Sequence, residues 1–496
     1  MTHIDHHDRQ ILQEIAEHAM RERGLLPEFS SRVRAEVKRI DGPAQAGLED
    51  TPNLRDLTGL MWCSIDNDDS RDLDQLTVAE ALSKNDIRVR VAIADVDALV
   101  RPGSAIDEHA RHNTVTVYTA AQIFPMLPEE LSTGFTSLNY EQERLAVVVD
   151  MLIDDDGSLL ESEIYPARVY NHARLAYNDV AAWLEGGRMP DELARVRGLP
   201  ANLRLQDQAA RRLKQYRSNQ GALRLETVKA RPVFAGDQIQ DLDLDAKNRA
   251  KEIIEDFMIA ANGITGGYLV SRGLPALRRV VRAPKRWERI VELARQYGTR
   301  LPGEPDSKAL DEFLAARKAA DPLRFPDLSL AVVKLLGPGE YVADLPGRQP
   351  VGHFGLAVKD YTHSTAPNRR YPDLATQRLL KAAVQGGPSP YTLSDLDELA
   401  QHCTRQEDAA AKVERQVDKS AAALLLQDRI GDRFNAIVTG AAAKGTWVRV
   451  LQPPVEGKLE QGYEGVDVGD RLQVELIDVD VRQGFIDFKK VERGGG

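Results

Sequence analysis

Residues 64–75 run Ser-Ile-Asp-Asn-Asp-Asp-Ser-Arg-Asp-Leu-Asp-Gln, which places five aspartates within the nine positions from Asp66 to Asp74. The run leaves an apolar strand and is hemmed by apolar residues on both sides. Carboxylates this close repel one another, so they need water, arginines or divalent cations beside them. Hard Mg²⁺ or Mn²⁺ prefers carboxylate oxygen. A solvated acidic loop is the ordinary alternative, but the position directly after a strand end favours metal. A calcium EF-hand is excluded, because its sixth position would be Arg71 in place of glycine and its twelfth Thr77 in place of glutamate. Paired cations roughly 4 Å apart recur in enzymes that displace phosphoryl groups in line, and the spacing here permits such a site.

Working outward, Ile87, Val89, Val91 and Ile93 alternate with polar or small residues. This reads as a half-buried strand, paired through a turn at Ser83 to Asp86 with Leu76 to Ala79. On the N-terminal side, Ile11, Leu12, Ile15 and Ala19 recur at helical spacing over 8–23, and Gly24 to Pro27 breaks the pattern before a basic second helix from Ser31. The pair reads as a packing hairpin or, less commonly, a helix-turn-helix. Residues 42–53 read as linker. On the C-terminal side, helices are expected over Ala246 to Leu269, with Ile254, Phe257, Met258 and Ala261 on one stripe, over Pro372 to Val384, and over Ala409 to Leu426. From Arg433 the character changes to short β-branched runs at Ala436 to Val438, Trp447 to Leu451, Leu472 to Val479 and Phe485 to Phe488, parted by glycine turns such as Lys444-Gly445. That is the pattern of a small antiparallel barrel.

Composition bounds what this chain does. Its 496 residues exceed what one hydrophobic core serves, so several domains are expected. A hydrophobic share of 42% and a charged share of 28% are those of a globular protein. No apolar stretch approaches the roughly 20 residues of a spanning helix, and the first ten residues lack a signal peptide's apolar core. We expect a cytoplasmic protein with no membrane partner, most simply a monomer. The two cysteines, Cys63 and Cys403, read as reduced core thiols. A net charge of -11 disfavours a general nucleic-acid coat but allows a local basic channel. Cations crowd 204–231 and 272–289, the latter including Arg278, Arg279 and Arg282.

The acidic run, an isoleucine-aspartate followed by an aspartate cluster, resembles the signature of the ribonuclease II and ribonuclease R family of RNB-domain exoribonucleases. Segments 93–96 (Ile-Ala-Asp-Val), 101–104 (Arg-Pro-Gly-Ser), 124–132, 137–139 (Ser-Leu-Asn), 259–262, 353–356 and 361–373 resemble further family motifs in the family's order. The resemblance implies an α+β, multidomain chain. A mixed α/β catalytic domain would occupy 53–430, with the helical module at 1–52, an S1-like OB-fold barrel at 431–492 and a disordered tail at 493–496. The family's N-terminal cold-shock barrels have no counterpart in the pattern.

The same resemblance implies hydrolysis of single-stranded RNA from the 3′ end to nucleoside 5′-monophosphates, with Mg²⁺ or Mn²⁺ as cofactor. Asp66, Asp72 and Asp74 match catalytic, metal-holding aspartates, while the fourth such position falls on Gln75. Arg369 matches an arginine that clamps the scissile phosphate, a task suited to its bidentate fork. Tyr118 and Tyr177 match base-stacking positions, and the opposing family phenylalanine falls on Leu225. Glu255 matches a glutamate near the terminal ribose, Glu414 an RNA-contacting position, and Arg279 and Arg370 join the RNA-binding set. Core or surface packing is the ordinary role of each of these residue types. Two other readings stay open: an RNA-binding relative without catalysis, suggested by Gln75 and Leu225, and a metal-dependent phosphodiesterase of broader specificity.

Overall fold

A computed structural model of the chain describes residues 8–45, 53–82, 85–226, 229–245, 247–322, 324–344, 352–442, 445–466 and 468–491. Parts of the linker, of the expected turn at 83–86 and of the Lys444-Gly445 turn, and the whole tail at 493–496, lie outside the described residues. The N-terminal pattern folds as α1 (Asp8–Glu22) and α2 (Ser31–Val37). Leu12, Ala16, Ala19 and Met20 are buried along one stripe of α1. At the start of α2, the Ser30 hydroxyl accepts the Val33 N–H at 3.3 Å, a capping bond that offsets an otherwise unpaired donor.

The central sheet contains β1 (Arg55–Asp56), β2 (Cys63–Asp66), β3 (Gln75–Ala81) and β4 (Ile87–Ala94), then, after α3 (Ala105–Asn113) and a separate hairpin of β5 (Val117–Tyr118) and β6 (Ile123–Phe124), β7 (Glu143–Ile153), β8 (Leu159–Tyr170) and β9 (Ala173–Ala176). The strand order is β1-β8-β7-β4-β3-β2-β9, with β2 and β9 parallel at one edge. The expected β3–β4 pairing is present, Gln75 opposite Ile93 and Ala81 opposite Ile87. The half-buried expectation holds over the first half of β4, where Arg88 and Arg90 stay partly exposed, and needs correction over the second. Ile87, Val89, Val91 and Ile93 pack on one core, but Ala92 and Ala94 on the opposite face enter a second core with Leu76, Val78 and Val148. Helices cover both faces there, and a strand covered on both sides keeps no solvent face.

Those helices follow in the chain. α4 (Tyr177–Leu184), α5 (Asp191–Arg195) and α6 (Leu199–Asn219) precede a ribbon of β10 (Lys229–Ala235) and β11 (Gln238–Asp245) and then α7 (Arg249–Ser271). β12 (Ala276–Val280) pairs antiparallel with β13 (Glu340–Asp344) around α8 (Trp287–Gln296), α9 (Ser307–Ala320) and α10 (Phe325–Leu336). α11 (Tyr371–Val384) is buried along most of its length, and α12 (Leu393–Leu426) runs 34 residues. The helix expected from Ala409 thus begins sixteen residues earlier, where Thr392 and Asp395 form a reciprocal capping box. Leu396, Leu399, Ala400 and Cys403 carry its apolar stripe through a charged segment. No described helix is long and apolar enough to cross a membrane.

The C-terminal strands β14 (Arg433–Ala442), β15 (Gly445–Val450), β16 (Glu456–Gln461), β17 (Arg471–Asp480) and β18 (Phe485–Lys490) close a barrel in the order β14-β15-β16-β18-β17. Sequence reading expected four strands and missed β16. Its inward positions are Gly457 and Leu459, too little apolar surface to show the alternation. Gly457 is needed there, because a Cβ would come within 2.5 Å of both the Ile486 carbonyl and the Phe488 ring.

Candidate active site

β2 ends on Asp66 and β3 begins on Gln75, so the acidic run is the connection between two adjacent antiparallel strands. Cys63 lies opposite Thr77, and the same register carried to the strand end brings Asp66 level with Asp74. Leu73 is buried in the core between its two aspartate neighbours. Its N–H donates to Ser137 Oγ at 2.9 Å, and its carbonyl accepts the Leu138 N–H at 3.0 Å. At the other end of the connection, Arg174 of β9 donates to the carbonyls of Asp68 at 3.0 Å and Ser70 at 2.7 Å. These bonds fix the backbone of a segment whose side chains repel one another.

Asp74 is 1% exposed and accepts the Arg369 Nε–H at 2.8 Å and the Asn368 N–H at 3.0 Å. Burial pushes its carboxyl up to about 6, against the pull of Arg369. Asp66 is pushed further, to about 7, by burial and then by the charge of Asp74. One Asp66 oxygen accepts the Gln75 amide at 3.4 Å, while Oδ2 is buried without a hydrogen-bond partner. Asp72 accepts the Tyr118 hydroxyl at 2.7 Å, and the Tyr118 N–H donates to Glu414 Oε1 at 2.9 Å. Tyr177 follows Ala176, the residue paired with Asp66 across the β2–β9 edge. Burial raises the phenol pKa of both tyrosines, with Asp72 adding to it at Tyr118 and Asp66 at Tyr177.

Arg369 keeps 42% of its side chain exposed although its Nε is engaged, so the far end of the guanidinium faces outward. Arg370 instead turns to the fully buried Asp373 at 2.7 Å. Arg279 pairs with Glu407 at 2.5 Å and lies over the Tyr341 ring, 4.8 Å from its centroid. Asp66, Asp72, Asp74, Gln75, Tyr118, Tyr177, Arg369 and Glu414 therefore form one connected group. Leu225 and Glu255 line a cleft of about 360 Å³ whose walls include none of Asp66, Asp72 and Asp74. Leu225 packs on the α8–α10 core, and Glu255 is paired with Lys247 at 2.8 Å. Sequence reading did not find Arg174, Asn368 or Asp373 as supports. For Ser137 a signal existed, since the Ser137-Leu138-Asn139 segment stood out without an assigned task.

Among the described residues no three carboxylates, histidines or cysteines converge as a closed ligand set. The donor chemistry nevertheless fits a hard divalent cation. An unpartnered buried carboxylate oxygen on Asp66, beside carboxyls raised by burial and mutual repulsion, is what such a cation would satisfy.

Comparison with known proteins follows the same outline. The family model for the RNB domain matches residues 54–386, and that for the RNase II-type exonuclease C-terminal S1 domain matches 432–491. Ribonuclease R of Vibrio parahaemolyticus is 31% identical over 475 residues, 88% of this chain and 56% of that protein. The chain thus spans little more than half the length of this relative. Among solved structures, Mycoplasma genitalium RNase R in complex with ribose-methylated single-stranded RNA superposes with a TM-score of 0.87 at 23% identity, covering 98% of this chain and 78% of that one. Yeast Ssd1, described as a pseudonuclease, superposes with a TM-score of 0.72 at 15% identity, covering 93% and 57% respectively.

Proposed function

The chain belongs to the RNB-domain family, and from that premise we propose that it is a 3′-to-5′ exoribonuclease that hydrolyses single-stranded RNA to nucleoside 5′-monophosphates. The observation that carries this reading is the joining of Asp66, Asp72 and Asp74 to Arg369 and two aromatic rings at one end of the sheet. We assign the helical module to 1–52, the catalytic domain to 53–430 and the S1-like barrel to 431–492.

Asp66, Asp72 and Asp74, with the Gln75 amide oxygen, would hold Mg²⁺ or Mn²⁺. When bound, the cation activates water and neutralises charge on the phosphodiester. The chain's own residues do the rest. Arg369 spends Nε on Asp74, which fixes the guanidinium plane and leaves its outer nitrogens for a phosphate oxygen. Tyr118, 39% exposed and held by Asp72, offers a ring face to a base, and Tyr177 offers another. The cleft with Leu225 and Glu255 receives the terminal nucleotide, Glu255 exchanging Lys247 for a ribose 2′-hydroxyl. Arg279, Arg370 and Glu414 flank the strand's path.

Two specific features favour a second reading, an RNA binder without catalysis. The fourth acidic position is an amide, and both Asp74 oxygens are engaged within the chain. The test is to incubate the protein with Mg²⁺ and 5′-labelled single-stranded RNA beside matched DNA and an Asp74→Asn variant. A ladder shortening from the 3′ end, with DNA and the variant inert, is the expected result. Intact RNA that still shifts in a gel establishes the second reading, and equal turnover of DNA points to a broader phosphodiesterase.

A further inference from the structure

The residues before the RNB match carry no assigned task, yet they touch the wall on which Tyr118 stands. The β5–β6 hairpin is two residues per strand and joins no larger sheet. Hairpins that short do not hold themselves in place. Its base is tied to the active-site arginines, with the Thr116 N–H donating to the Arg369 carbonyl at 3.0 Å and Val115 bridging Arg370. Past that point the Tyr118 N–H ties the hairpin to Glu414, on α12.

α12 packs against β5, and α1 packs along α12 and beside β11, closing the same apolar cluster from the other side. Leu12 and Met20, both 0% exposed, share one apolar cluster with Val117 and Phe124 of the hairpin and with Val413 and Val417 of α12, the residues around Glu414. Polar bonds pin the module to α12 and to the end of α3. Arg23 donates to Gln416 at 2.8 Å, two residues past Glu414. Asn113 exchanges bonds of 2.9 and 2.8 Å with the N–H and carbonyl of Leu26. The exposed side of α1 carries Glu14, Glu17 and Glu22 with Arg21 and His18, while Arg9 is turned to Asp237 and the Phe234 ring, so the face is no concentrated cationic surface for phosphates.

We infer that α1 is a positioning element of the active site, whose buried Leu12 and Met20 hold the β5–β6 hairpin against α12 so that Tyr118 stands over the aspartates. α1 acts through Tyr118 and does not grip RNA itself. This rests on the proposed stacking role of Tyr118.

The test has two arms on the full chain. First, hydrogen exchange is compared between the native protein, Leu12→Ala and the conservative Met20→Leu. The expected result is faster exchange for amides at 115–124 in Leu12→Ala, with α11 amides unchanged and Met20→Leu like the native protein. Second, single-stranded RNA affinity is measured by gel shift in the native and Tyr118→Ala backgrounds. Leu12→Ala should weaken binding roughly fivefold in the first and by less than about twofold in the second, the non-additivity expected of residues acting through one another. Unchanged exchange in the hairpin, or an equal loss of affinity in both backgrounds, overturns the inference. A native chain that neither binds nor shortens RNA overturns the proposed function instead, and the exchange arm still decides the packing.

Discussion

Removing Arg369 should unfold the site and disable it by separable routes. Asp74 is 1% exposed and keeps two donors, the Arg369 Nε–H at 2.8 Å and the Asn368 N–H at 3.0 Å. In Arg369→Ala one backbone donor is left for a buried charge. Breaking a buried pair costs about 3–5 kcal/mol, and because the Arg369 side chain is 42% exposed we place the loss at about 2–3 kcal/mol. With an unfolding entropy near 2.1 cal/mol/K per residue, a unit of roughly 380 residues moves by about 3 °C for that loss. The assay is thermal melting in chelator, so that no cation confounds it. The double variant Arg369→Ala/Asp74→Asn, which removes the stranded charge, should regain most of the midpoint. Turnover behaves differently, with a fall of about 10²- to 10³-fold for Arg369→Ala, as for loss of a preorganised charge-stabilising donor, and no recovery in the double variant. A double variant that melts no higher than Arg369→Ala would refute the claim that Asp74 is a buried charge balanced by this arginine.

Three further outcomes are expected. Tyr118→Phe keeps the ring and loses the bond to Asp72, so KM for single-stranded RNA should stay within about twofold, whereas Tyr118→Ala should raise it about tenfold; steady-state kinetics on one oligomer decides. Millimolar Mg²⁺ should raise the melting midpoint of the native protein and leave Asp66→Asn unmoved, because Asp66 Oδ2 is the unpartnered oxygen a cation would satisfy; equal shifts in both would move the ligand set elsewhere. His109 is buried beside Phe29, and burial lowers its pKa to about 4 from the ordinary 6.5. A depressed folded-state pKa contributes stability that is present above 6.5 and lost as pH falls towards 4, about 3 kcal/mol in all. Urea midpoints across that window should fall in the native protein and flatten in His109→Phe.

How far the sequence discloses the fold depends on how much apolar signal each element carries. β3 and β4 alternate cleanly and pair in the register that alternation implies. α1 and α11 bury the stripe their spacing sets out. β16 stays hidden because its barrel position demands a glycine where a side chain would have marked the inward face. The first half of α12 stays hidden because its solvent face is dense in charge, and its start is marked by a capping box at Thr392 rather than by hydrophobicity. β16 marks a limit of any local signal, since its barrel neighbours demand the glycine, whereas the start of α12 does carry a local mark, of another kind than hydrophobicity.

At the site, the residues that carry charge were legible and those that hold the charges in place were not. Arg369 lies 295 residues from Asp74 and Glu414 lies 296 from Tyr118. No periodicity links such pairs, and only likeness to a family suggested them. Gln75 shows what distance alone adds. In the sequence it reads as one missing negative charge. In the fold its amide donates to Asp66 at 3.4 Å, where a second carboxylate at the same separation would repel by about 5 kcal/mol at an effective dielectric near 20. Before a cation binds, the amide therefore removes a repulsion and satisfies one of Asp66's oxygens. After a cation binds, it supplies one ligand charge fewer than aspartate would. The substitution thus shifts free energy from the cation-loaded site to the unloaded one, so Gln75→Asp should lower the melting midpoint in chelator and deepen its dependence on Mg²⁺.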